Sequence, residues 1–227
     1  MARGTPHAAY DHDLNRTPRS LEDGEESMTT VQQRTAAPTF DITYWPRSID
    51  AIYAQTTSPH HRAMLLNMRR HILLELMGRW REVLVPEFTV EVPRYRVVTP
   101  LGALEPVGLE EVSNFYSRLF DARSGVWSPI DESMVVHDRG VISEALLAAF
   151  MAGSALAEAG ADVDPSSHYM VTFNQAYAFE FDENAKLVGE RSYDANNQKF
   201  YPVAPEDVVT FERAAEILAP FFDNPPT

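Results

Sequence analysis

Four side chains of the 227-residue chain have the type and placement that proton transfer requires: Asp194, Glu190, His71 and Tyr177. Asp194 and Glu190 lie four residues apart in a strand-like run, Leu187–Asp194, and the two-residue period of a strand puts both on one face. At a rise of ~3.3 Å per residue their backbones stand ~13 Å apart, a span that two carboxyls can close on a ligand held between them. An apolar wall raises the pKa of such a carboxyl into the range where it acts as a general acid or base. The competing reading of Asp194 is a strand-end carboxylate in water. For Glu190 it is an ion pair with Arg191, or a position facing outward. His71 follows Met68 by three residues on the apolar side of a helix, beside Arg69 and Arg70. It is either a core-edge histidine or a pocket base, with Asn67 one turn earlier to orient it. Tyr177 and Gln175 fall among aromatic residues, where each needs a partner. They form either a polar handle for a ligand oxygen or a satisfied part of the core.

The elements that must position these groups follow from periodicity. Tyr169, Val171, Phe173, Gln175, Tyr177, Phe179 and Phe181 share one face of a long strand. His168, Met170, Thr172, Asn174, Ala176, Ala178 and Glu180 share the other, which must meet water or a second subunit. Asp182–Ala185 turns this strand into Leu187–Asp194. A four-residue loop pairs Phe181 with Lys186 and brings Val188, Glu190, Ser192 and Asp194 to the aromatic face. A five-residue loop brings Leu187, Gly189, Arg191 and Tyr193 there instead.

Upstream, Ser58-Pro59 signals a helix start, and Met64, Leu65, Met68, Ile72, Leu76 and Trp80 mark one buried face of a helix that ends near Pro86. Phe88–Pro93 alternates like a strand that Tyr95–Val98 continues after a kink. Leu109–Phe120 reads as a second amphipathic helix, with Val112, Phe115, Tyr116 and Leu119 inward. Ser133–His137 and Val141–Ala152 flank an Asp138-Arg139-Gly140 turn. The acidic Gly153–Ser167 insertion is long for a hairpin loop and suits a lid. Glu206–Leu218 reads as a closing helix. Residues 1–40, rich in Thr, Ser, Pro, Arg and acids and holding His7 and His12, read as a disordered tail. Residues 41–227 form one α+β domain with helices packed on a sheet face.

Composition removes several classes. There is no cysteine, which excludes a disulfide scaffold, a thiol enzyme and Cys-ligated zinc. A formal charge of −14 repels phosphate backbones and anionic lipid, so neither nucleic acid nor membrane is an expected partner. No apolar run reaches the ~20 residues of a membrane span, and the N-terminus has no signal-peptide pattern. The expectation is a cytoplasmic protein. Glu144 stands in an otherwise apolar strand and must face out or find a partner. His137 and Asp138 suit a solvated turn. His60-His61 lack acidic neighbours at ligand spacing, and no metal motif, phosphate loop or nucleophile elbow occurs. The expected metal and cofactor set is none.

The run Phe181-Asp182-Glu183-Asn184-Ala185-Lys186-Leu187, followed by Gly189-Glu190-Arg191-Ser192-Tyr193-Asp194, resembles the "F-D-x-x-G-K-I" turn of the nuclear-transport-factor-2-like (NTF2-like) superfamily in its SnoaL-like branch, with Ala185 in place of the usual Gly. The resemblance spans roughly residues 58 to 215. It implies a cone-shaped fold, a curved antiparallel sheet wrapped around N-terminal helices. It also implies the four-residue register, a pocket faced by Tyr177, Glu190, Ser192 and Asp194, and a homodimer joined through the open sheet face at Thr172, Asn174, Ala176 and Ala178. Relatives include polyketide cyclases, ketosteroid isomerase, scytalone dehydratase and an epoxide hydrolase. The isomerase's general base falls on Val92 and its oxyanion-hole acid on Tyr177. The hydrolase set falls on Ala145, Leu147 and Ser192. The cyclase acid/base aspartate matches Asp194. The implied function is cofactor-independent acid/base chemistry, of the isomerase, cyclase or dehydratase kind, on a small apolar organic molecule. Asp194, Glu190, His71 and Tyr177 form the catalytic set, and Gln175, Ser192, Phe173, Phe179, Tyr116 and Tyr95 contact the substrate. The alternative is a binding or accessory protein on the same fold.

Overall fold

A computed structural model describes residues 36–100, 102–121 and 125–227; His7, His12 and most of the expected tail lie outside the described residues. The chain opens with helix α1 (Tyr44–Gln55) and helix α2 (Pro59–Leu76). The α2 start is the one its sequence signals: Ser58 Oγ accepts from the His61 amide at 3.4 Å, and Pro59 occupies the first turn. Strands β1 (Arg96–Thr99) and β2 (Gly102–Leu104) follow, then helix α3 (Gly108–Asp121). Next come β3 (Trp127–His137), β4 (Gly140–Ala152), the short α4 (Gly153–Glu158), β5 (His168–Phe181), β6 (Leu187–Asp194) and β7 (Lys199–Val203). Helix α5 (Phe211–Asp223) ends the fold.

The strands form one curved, unclosed sheet in the order β2-β1-β6-β5-β4-β3, with β7 also paired to β5. All pairs are antiparallel except β1 with β6, which runs parallel. On the inner face Tyr177, Phe179 and Phe181 of β5 join Met64, Leu65, Met68 and Ile72 of α2 in the main core. Arg69 ties the helices together: it donates to Asp50 of α1 at 2.5 and 3.1 Å and to the Phe221 carbonyl of α5 at 2.9 Å. At one end the outer face is covered too, because Met170, Ala148 and Phe150 pack with Phe40, Val208 and Val209. Thr172, expected on the open face, is therefore buried. The open part of that face carries Val135 (61% exposed), Ile142 (50%) and Tyr193 (42%), together with Ala176 and Ala178.

The β5–β6 hairpin combines the two expected registers. Phe181 pairs with Leu187, the closure of a five-residue loop, but the register shifts immediately after, so that Phe179 faces Glu190, Tyr177 faces Ser192 and Gln175 faces Asp194. The bulge returns the even-numbered β6 residues to the aromatic face, two residues away from the simple four-residue pairing. Ala185 sits at φ 57°, in the left-handed region where the family turn carries Gly. Asn67 Nδ2 fixes the turn, donating to the Ala185 and Phe88 carbonyls at 2.8 Å each.

Other segments depart from expectation. Phe88–Pro93 is not a strand; only an isolated bridge, Thr89 to Leu187, forms there, with Thr89 Oγ1 bonded to the Val83 carbonyl at 2.7 Å. The closing helix starts later than expected, at a Thr210 cap, because Pro205–Asp207 is a separate 3-10 turn. Helix α1 and strands β2 and β7 were not anticipated.

Candidate functional site

Helix α2 projects His71 and, one turn on, Glu75 toward the sheet, where the bulged register of β6 places Glu190 opposite them. His71 Nε2 stands 3.0 Å from Glu75 Oε1, 2.9 Å from the Tyr116 hydroxyl of α3 and 4.0 Å from Glu190 Oε2. The Tyr116 hydroxyl meets that of Tyr95 at 3.1 Å. Four sequence candidates therefore come together, with Glu75 as a member the sequence reading missed. Its signal was the i, i+4 spacing from His71, which puts both on one helix face.

The cluster is buried: His71 is 1% exposed and Glu75 8%. A fifth of the Glu190 side chain is accessible, and that part opens into a cavity of about 370 Å³. Burial, reinforced by the charges of Glu75 and Asp194, holds the Glu190 carboxyl well above its ordinary pKa. Burial likewise raises the Tyr95 and Tyr116 hydroxyls, so both stay protonated.

Glu75, Glu190, Ser192, Asp194, Gln175 and Tyr116 line the polar part of this cavity, and Phe115, Trp127, Phe173 and Val97 its apolar part. Gln175 Nε2 donates to Asp194 Oδ1 at 2.6 Å, so the pair that the register brings side by side is also bonded. A second cavity of about 500 Å³ adjoins the first through Thr99, Leu119, Phe173 and Asp194. Its walls are largely apolar: Met151, Leu156, Ala161, Val171 and Phe200. The 153–167 insertion supplies Leu156, Ala159, Gly160 and Ala161, and the Gly153 amide closes its base on the Ser167 carbonyl at 2.8 Å.

His71 and Tyr95, expected at the ligand, are buried in the cluster behind the cavity wall and do not line it, and two further expected members stand elsewhere. Tyr177 was expected to hold a ligand oxygen beside Gln175. Its hydroxyl instead donates to Glu132 Oε1, which also accepts from Ser143 Oγ at 2.8 Å and Trp45 Nε1 at 3.1 Å. This network lies under α1 and leaves Glu132 Oε2 buried without a partner among the described residues, and Tyr177 is not on the cavity wall. Phe179 packs its ring against that of His71, centroids 4.9 Å apart, behind the cluster rather than in the cavity. Val92, at the isomerase base position, is half exposed and outside the cavity. Glu190 does not pair with Arg191, whose guanidinium meets Glu180 at 2.7 Å.

No family model matches the chain, and no curated protein sequence matches it. Solved structures do show similarity. A protein from Jannaschia sp. CCS1, described as a SnoaL-like polyketide cyclase, is 19% identical over 62% of this chain and 90% of its own, with a TM-score of 0.48. One from Shewanella putrefaciens, described in the same words, is 9% identical over 70% of this chain and 91% of its own, also at 0.48. An NTF2-like protein from Anabaena variabilis is 12% identical over 63% of this chain and 96% of its own, at 0.46. These are the groups that the terminal hairpin resembles.

Proposed function

We propose that the chain binds a small, largely apolar organic molecule in the double cavity and performs acid/base chemistry on it, with Glu190 as the proton-carrying group. One observation carries this reading: Glu75 and Glu190 share a buried site around His71, and Glu190 opens from it into the cavity. Two carboxylates so placed favour holding a proton between them. A carboxyl kept protonated near neutral pH, facing a largely apolar space, is the ordinary design of a general acid. His71, itself held by the Tyr116 hydroxyl, orients Glu75, and Asp194, held by Gln175, lies on the wall that the two cavities share. Such chemistry requires no cofactor.

Carbon-13 NMR of side-chain carboxyls tests the reading. One resonance is expected to titrate well above the ordinary carboxyl range and to vanish in Glu190→Gln, while Glu75→Gln moves it toward the ordinary range. If every carboxyl titrates in that range, the acid/base reading falls. A second reading, binding without catalysis, is favoured by the apolar wall of the larger cavity. It retains the ligand and predicts no such resonance. We further propose a homodimer through the open sheet face, on the strength of the exposed Val135, Ile142 and Tyr193. Among the described residues no helix is long and apolar enough to cross a membrane.

A further inference from the structure

We propose that the molecule taken by this cavity is an organic cation, an ammonium or iminium head on an apolar body. The proposal rests on the reading of the cavity as a small-molecule site. Two carboxyl groups, Glu75 and Glu190, meet at its polar end, and a third, Asp194, lies on the wall it shares with the larger cavity. The single cationic residue on its wall is Arg118, an exposed rim side chain whose Nε donates to the Asn114 carbonyl at 3.3 Å. Among the described residues no hydrogen bond reaches the Glu190 carboxyl, and His71 Nε2 stands 4.0 Å away. A carboxyl so placed, with a fifth of its side chain open to the cavity, holds a proton in the free protein and exchanges it for a positive partner when one is bound. Tyr116 stands among the polar residues and the rings of Phe115, Trp127 and Phe173 line the rest of the cavity, and aromatic faces attract cations, more strongly as water is excluded. An anionic head would meet the acidic side chains of Glu75 and Glu190 instead. A developing oxyanion also loses one expected donor, because the Tyr177 hydroxyl is held by Glu132. The adjoining apolar space then receives the body of the ligand.

A metal ion is the competing cation, since His71, Glu75 and Glu190 place ligand atoms within 4.8 Å of one another. The far side of the His71 ring argues against it. His71 Nδ1 is buried without a hydrogen-bond partner among the described residues, so the proton belongs on Nε2, where Glu75 and Tyr116 lie within bonding distance. A metal on Nε2 would drive that proton to Nδ1, where nothing accepts it.

The test is a matched series on one skeleton, 4-phenylbutylamine, 4-phenylbutan-1-ol and 4-phenylbutanoate, read by calorimetry and by amide chemical shifts of the full-length protein. The amine is expected to bind about tenfold tighter than the alcohol, the acid not at all, with shifts centred on β6 and α3. Glu190→Gln and Asp194→Asn are expected to lose most of that preference while keeping the wild-type spectrum elsewhere. An alcohol that binds the same residues as tightly as the amine would overturn the cation class and leave the small-molecule reading standing. If no compound shifts any cavity residue, both fall. If Zn²⁺ or Mn²⁺ alone binds at one equivalent, is lost in His71→Ala and displaces the amine, the cation is a metal and the proposal is wrong.

Discussion

Replacing Gly189 with alanine probes how closely the segment entering β1 lies against β6, immediately beside Glu190. A Cβ at Gly189 would stand 1.8 Å from the Arg94 carbonyl oxygen and 2.7 Å from its carbon. Relief to the 3.0 Å that real contacts respect needs a displacement of 1.2 Å, and the obstacle is backbone, so no side chain can turn away. Gly189 does not have a positive φ, so the whole cost is steric. Forcing one carbon into a packed site costs about 1–3 kcal/mol. The Arg94 amide bond to the Val188 carbonyl, 2.9 Å long, contributes about 1 kcal/mol if it breaks. The sum, about 2–4 kcal/mol, lowers the melting temperature by about 5–15 °C in a chain of this size. Calorimetry of Gly189→Ala beside Gly160→Ala separates the causes. Gly160 has φ +90° and nothing within 4 Å of its would-be Cβ, so its substitution costs only backbone strain, about 1–2 kcal/mol. A Gly189→Ala variant that melts no lower than Gly160→Ala would refute the reasoning. The amide shifts of Glu190 and Ser192 should move in Gly189→Ala alone.

Glu190→Gln should shift stability with pH in a defined direction. The Glu190 carboxyl is raised in the folded protein by burial and by Glu75 and Asp194, so its stabilising protonation is complete below the ordinary carboxyl range and is lost as pH rises toward its folded value. Thermal melts should show the variant gaining on wild type across that rise and the difference closing at acid pH. Tyr177→Phe removes a donor from the shared Glu132 Oε1 and should cost about 1–3 kcal/mol in urea unfolding while leaving ligand affinity unchanged; a large loss of affinity would return Tyr177 to the site. Ile142→Asp, on the open sheet face, should convert a dimer to monomer in sedimentation velocity without lowering the melting point of the isolated chain by more than about 1 kcal/mol-equivalent. A wild-type monomer in that experiment would remove the dimer proposal.

What the sequence conveyed was periodic, and what it concealed was a change of period. Helix α3, strand β4 and the β5–β6 hairpin carry long apolar repeats and stand within a few residues of their expected places, whereas α2 stops at Leu76, short of Pro86, with Trp80 in a separate 3-10 turn, and β3 begins at Trp127, ahead of Ser133. Helix α1 has Trp45, Ile49 and Tyr53 on one buried stripe, a signal masked by the polar run before it. Strand β7 contains Pro202 and lies short on the β5 edge, the position where a strand tolerates proline. Glu132 was unreadable for a sharper reason. The bulge between Pro129 and Asp131 reverses the parity of β3, so odd-numbered residues point inward before it and even-numbered ones after it. Alternation counted from the Trp127 end puts Glu132 on the outer face, and only counting back from Met134 and Val136 puts it on the side of Tyr177. The β6 bulge acted in the opposite sense, leaving the faces of Glu190 and Asp194 as expected while moving their partners by two.

Strand β5 changes partners along one edge. Thr172 pairs with Lys199 of β7, and Gln175 with Asp194 of β6. In the interval the Asn174 amide is held by the Asn197 side chain at 3.0 Å, and Asn197 Nδ2 returns a bond to Asn174 Oδ1 at 2.7 Å. The sheet thus has a seam closed by a carboxamide standing in for a strand, beside the Asn196 and Gln198 that line the larger cavity. The Asn174 carbonyl still accepts from the Ala195 backbone amide at 2.8 Å, so the join is half ladder and half side chain. The Asn174 amide, held by a carboxamide that turns on its own torsions, is expected to exchange faster with solvent than its ladder-bonded neighbours in β5.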